Sequence, residues 1–188
     1  IGALQIQLPP SFGPESMTAL RGFVGSLPSD HDWVVEFRHP GYFDGGRAHA
    51  AADELLAGAG VGRVVLDTRP LYDSPPRTDA AVEERRTKPR LPVQTAHVGE
   101  SPVVRVIGQD SVDGTMDGLR RWVPIVGSWL GEGRRPFLFV HQPENLHSPR
   151  LARLVHQEVA AHVEGLTPLP EPLPVAPRSE VTGQDSLF

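Results

Sequence analysis

Short apolar runs alternate along the chain with longer stretches that carry apolar residues at helical spacing. Leu4-Gln5-Ile6-Gln7-Leu8 alternates apolar and polar positions and stops at Pro9-Pro10, which predicts a strand with Gln5 and Gln7 on one face. Ser11 to Leu27 predicts a helix, with Leu20, Phe23, Val24 and Leu27 on one side. Trp33 to Phe37 predicts the second strand, and the alanine-rich stretch from Gly46 to Ala59 a second helix closed by Gly58 and Gly60. Arg63 to Asp67 is the third predicted strand, Val103 to Ile107 the fourth and Phe137 to Val140 the fifth. A helix is expected over 115–130, with Pro124 either kinking it or marking its real start. Ser148-Pro149 reads as the cap and first turn of a last helix running from 149 to about 164. Residues 68–101 show no strong period and carry five prolines, so they read as a long loop of the kind that is often functional, with Glu83-Glu84-Arg85-Arg86 a candidate turn of helix presenting a solvated face.

Strands alternating with helices imply βα units around a parallel sheet. Five units are visible, whereas a complete eight-unit barrel needs more than about 200 residues. With 188 residues, the count leaves two architectures: an open doubly wound sheet, or the last five-eighths of a barrel. The chain opens inside a strand without an initiator Met, which favours a missing upstream part.

Composition narrows the picture modestly. A hydrophobic fraction of 39% with 22% charged residues is ordinary for a globular protein. A net charge of −5 gives no general attraction to nucleic acid or an anionic membrane. No apolar window is long enough to cross a bilayer. The absence of cysteine excludes disulfides and thiolate ligands and fits a cytoplasmic protein.

The chemistry gathers at the strand exits. Gln7, Glu36, Arg38, His39, Asp67, Arg69, Arg105, His141, Glu144 and Asn145 all lie at or just after a C-terminal strand end, within the strand or immediately past it. That edge is where ligands bind in barrels and in open α/β sheets. Glu36, His39 and Asp67 are the acid/base candidates, and Gln7, Arg38, Arg105, His141 and Asn145 the substrate-binding candidates for an anionic or polar ligand. Glu36, His39, Asp67 and His141 could together ligate a divalent metal, although no tight ligand spacing marks such a site. A structural alternative is a Glu36–Arg38 pair closing one end of a barrel. Gly58-Ala59-Gly60-Val61-Gly62 follows a helix and precedes a strand, the reverse of a dinucleotide motif.

Four segments carry a family resemblance: Gln7-Leu8-Pro9-Pro10, Glu36-Phe37-Arg38-His39-Pro40 with Phe43 beyond, Val104-Arg105-Val106-Ile107-Gly108, and His141-Gln142-Pro143-Glu144-Asn145 followed by Ser148-Pro149-Arg150. In this order they resemble the YecE-like family, domain of unknown function 72, over about residues 1–163. The resemblance implies a TIM-type (β/α) barrel seen from its fourth strand onward, the first three units lying outside this sequence. The Gly-Trp-Tyr-type opening and Glu-x-Asn-type strand of the family are absent here. Where many relatives carry a histidine after the arginine of the Val-Arg-Val motif, this chain has Ile107. The family implies no established activity. A hydrolase or nuclease-like enzyme at the rim is therefore only a fold-level analogy.

After residue 164 the character changes. Residues 165–174 read as a polyproline-like spacer, so the chain divides into a barrel domain over 1–164 and a flexible tail over 165–188. The final Gln184-Asp185-Ser186-Leu187-Phe188 resembles the bacterial sliding-clamp-binding pentapeptide, with Gln184, Ser186, Leu187 and Phe188 matching and Asp185 departing from it. This gives the alternative to a rim enzyme: a non-catalytic DNA-maintenance factor recruited to the clamp.

Overall fold

The computed structural model describes residues 2–96 and 98–171. Its strands are β1 (Leu4–Gln7), β2 (Trp33–Glu36), β3 (Gly62–Arg63), β4 (Val65–Asp67), β5 (Val103–Ile107) and β6 (Phe137–His141). They form two three-stranded sheets, ordered β1-β2-β3 and β4-β5-β6, and every pairing is parallel. The third predicted strand is thus divided at Val64. Its first half pairs with β2 and its second half with β5, while the Val64 N–H donates to Val35 O at 2.9 Å. Among the described residues the sheets do not close into a barrel, because β1 and β6 are not paired. What stands is a mixed α/β fold with parallel sheets.

The helices are α1 (Met17–Val24), α2 (Arg47–Gly58), α3 (Arg69–Tyr72), α4 (Asp79–Thr87), α5 (Val112–Arg120), α6 (Val123–Gly131) and α7 (Ser148–Ala160). The helix expected over 11–27 is shorter, entered through a 3-10 turn at Pro14–Ser16. The helix expected over 115–130 is two, because Pro124 lies in the first turn of α6, where its missing N–H costs nothing. Residues 68–101 hold two helices: the turn expected at 83–86 is part of the longer α4, and α3 was not expected. Thr78 caps α4 by accepting from the Ala81 N–H at 3.2 Å. Gly60, at φ +67°, takes the left-handed turn that ends α2 and feeds β3.

The strands alternate cleanly between two faces. Val35 and Phe37 pack with Leu20, Val24 and Leu56 of α1 and α2. Val65, Val104 and Val106 pack with Met116, Trp122 and Leu151 of α5 to α7. On the other face Val34, Val64 and Val103 form a small apolar layer with Ala3 and Phe137. The sheets curl so strongly that a Cβ on Gly2 would lie 2.9 Å from the Phe137 ring. This face is therefore concave, and β1 looks across it at β6.

The proline-rich segment begins docked. Leu166 packs against the α7 core, His156 Nε2 meets Thr167 O at 2.9 Å, and Arg153 Nη2 donates to Pro170 O. Gln184, Ser186, Leu187 and Phe188 lie outside the described residues. No helix among the described residues is long and apolar enough to cross a membrane.

Candidate functional site

Above the apolar layer of the concave face sits a polar one. Strand parity places Gln5 and Gln7 of β1, Glu36 of β2 and Arg105 of β5 on this side, with Arg38 just past β2. Glu36 is fully buried. Its Oε1 accepts from Arg38 Nε at 2.8 Å, and its Oε2 accepts from Gln5 Nε2 at 2.9 Å and from Arg105 Nη1. Gln7 Oε1 accepts from Arg38 Nη2 at 2.9 Å and from Arg105 Nη1 at 3.3 Å. A buried carboxylate so surrounded meets the requirement that a buried charge be paired and hydrogen-bonded. Two guanidiniums face one carboxylate, so net positive charge remains. Arg38 Nη1 and Arg105 Nη2 make no hydrogen bond among the described residues.

Beside this cluster opens a cleft of about 240 Å³ lined by Gln5, Arg105, Ile107, Phe139, Val140 and His141. Phe139 is the register partner of Arg105 and is half exposed to the cleft. His141 is the partner of Ile107. Its Nε2 lies 3.2 Å from Glu84 Oε1 of α4.

Other sequence candidates lie elsewhere. Asp67 is fully buried on the helix-facing side, where Oδ1 accepts from the Arg69 N–H at 3.0 Å and from Arg69 Nε at 2.9 Å. Its Oδ2 accepts from Arg69 Nη2 and Trp122 Nε1, both at 2.8 Å. This hydrogen bonding raises the pKa of Arg69 above its usual range. His39 caps the 3-10 turn Pro40–Tyr42, its Nδ1 accepting from the Gly41 N–H at 3.1 Å. Asn145 adopts φ +54° and accepts from the Gln142 N–H and Ser148 Oγ, both at 3.2 Å, holding the turn into α7. Glu36, His39, Asp67 and His141 are not gathered, and no group of three or more acidic or histidine side chains among the described residues is placed to hold a metal.

Two members of the site were missed from sequence. Gln5 stands two positions before Gln7 on the same strand face, so parity alone could have added it. Glu84 gave no signal, since it lies in a charged run within the aperiodic stretch. A further polar cluster is purely internal. Arg63 is buried between the rings of Phe37 and Phe43, donating to Asp53 Oδ1 and to Tyr42 O, each at 2.6 Å. Burial lowers the pKa of its guanidinium, and the pairing with Asp53 partly restores it.

The model of the family described as Protein of unknown function DUF72 matches residues 1–176, and the chain belongs to that family. The chain is 32% identical over 159 residues to UPF0759 protein YecE of Escherichia coli strain K12, covering 85% of this chain and 58% of that protein. It is 31% identical, with the same coverage, to UPF0759 protein YecE of Escherichia coli O157:H7. The chain thus spans a little over half the length of these relatives. No solved structure matches.

Proposed function

We propose that the two sheets are one arc of a TIM-type barrel and that their concave face binds a small anionic ligand, a carboxylate or a phosphate, through Arg38 and Arg105. Three features favour the arc: all-parallel pairing, a strand order that follows the chain without reversal, and the close approach of Gly2, just before β1, to the Phe137 ring of β6 across the concave face.

The observation that carries the anion site is the engagement of Glu36. Both of its oxygens are taken and none of its surface is exposed, so it orients the two guanidiniums instead of contacting a ligand itself. Arg105 lines a cleft of small-molecule size, and Arg38 shares its partners Glu36 and Gln7 while keeping an unused N–H group of its own. Calorimetric titration of the full-length protein with inorganic phosphate and with a small dicarboxylate tests this. Binding that weakens with added salt and falls about tenfold in Arg105→Lys, which keeps the charge but loses the planar fork, is expected. Equal affinity in wild type, Arg38→Lys and Arg105→Lys would overturn it.

The terminal pentapeptide supports a second reading from sequence: recruitment to a DNA sliding clamp. Its pattern of Gln184, Ser186, Leu187 and Phe188 behind a proline-rich segment is that of a tethered ligand. Micromolar binding to the clamp that disappears when Leu187 and Phe188 are deleted is the expected result. Undiminished binding without them would refute it.

A further inference from the structure

We infer that His141, paired with Glu84, is a general base serving the same cleft; the inference rests on the anion-binding reading above. His141 ends β6 and lines the cleft with Arg105 and Gln5. Its Nε2 points away from solvent, 3.2 Å from Glu84 Oε1, and is buried without a completed hydrogen bond. Glu84 Oε2 is likewise buried without one, its nearest cation being Lys88 Nζ at 3.5 Å. Buried polar atoms without partners are rare enough to need a reason. Here an imidazole nitrogen and a carboxylate face each other at pairing distance.

The approach of Glu84 is built into the fold. At the start of α4, Thr78 Oγ1 and the Arg77 N–H donate to Asp110 at 2.6 Å each, tying α4 to the loop after β5. Further along α4, Arg85 Nε donates to Leu71 O at 3.0 Å. The helix is thus pinned at two points, one of them in the same turn as Glu84.

A carboxylate at Nε2 keeps the ring proton there, because only a donor can face it. Nδ1 is then an acceptor, and it makes no hydrogen bond among the described residues and is not buried. The 3.2 Å separation is that of a carboxylate-oriented histidine base, with the N–H···O line still to be straightened to close the hydrogen bond. The step assigned to it is a proton transfer. Nδ1 takes the proton of a hydroxyl or water beside the anionic group held by Arg105, Glu84 balances the imidazolium so formed, and the same proton passes back from Nδ1 to an oxygen in the cleft, so that no proton is gained or lost over the cycle. No redox partner is needed.

Long-range proton–nitrogen correlation spectra of the full-length protein labelled with nitrogen-15 histidine test this, with His141→Gln identifying the signals. The Nε2–H tautomer is expected in the wild type, with that preference lost in Glu84→Gln, and inorganic phosphate should shift the His141 signals unless Arg105 is replaced by lysine. An Nδ1–H tautomer, or an unchanged one in Glu84→Gln, would overturn the dyad. Phosphate that binds but leaves His141 unmoved would overturn its link to the cleft. Absence of phosphate binding with the dyad intact would instead remove the anion site, and with it the base's substrate.

Discussion

Arg105 of β5 reaches past β3 and β4 to donate to Glu36 of β2, tying the two three-stranded sheets together on their concave face. Glu36→Gln keeps the shape and removes the charge that both guanidiniums answer. Because the Arg38 and Arg105 side chains stay 13% and 23% exposed, water can relieve part of the loss. A destabilisation of roughly 1.5–3 kcal/mol is expected, read as a lower urea midpoint at unchanged slope. An unchanged midpoint would mean that the carboxylate does not join the sheets.

Asp67 behaves differently because it faces the helices. Asp67→Ala strands the indole N–H of the buried Trp122 and should cost about 1–3 kcal/mol. Anion binding by the folded protein should not change. A selective loss of binding at full stability would place Asp67 in the site after all.

Arg63 and Asp53 form a pair that should show strong coupling. Arg63→Met leaves Asp53 buried with only His49 nearby and is expected to cost about 3–5 kcal/mol. Adding Asp53→Ala should recover much of that loss in a double-mutant cycle. Simple additivity of the two substitutions would refute the coupling.

Burial, with a smaller contribution from Glu15, raises the pKa of the Tyr42 phenol above its ordinary value. Its folded pKa therefore exceeds the unfolded value of about 10. The stability it contributes is intact below about pH 10 and is lost as the pH rises through the folded pKa. Tyr42→Phe removes the hydrogen bond to Gly13 O, at a cost of about 1 kcal/mol at neutral pH. It should also flatten the alkaline fall in stability. Parallel alkaline profiles for the two proteins would contradict this.

The strands and most helices were legible in the sequence because apolar runs, prolines and glycines punctuate them. Gln7, Glu36 and Arg38 were legible because each is a polar residue at a strand exit, and Arg105 because it interrupts the apolar run of β5. The facing of Asp67 was not. Its strand is Arg63-Val64-Val65-Leu66-Asp67, apolar at both parities in the middle, so no alternation marks which side is inward. Counting from Val64 in the inner layer puts 63, 65 and 67 on the helix side, but membership of that layer emerges only from the packing. Glu84 was hidden for another reason: its role depends on where α4 lies, which Asp110 fixes from 26 residues further along the chain.

The apolar layer of Ala3, Val34, Val64, Val103 and Phe137 lies beneath the charged one. It acts as an insulator. Water has little access to Arg38 and Arg105 from below, so their charge is screened chiefly from the open side, and an anion bound as proposed would displace much of that screening. The attraction an anion feels at the two arginines is therefore set partly by five side chains that carry no charge at all.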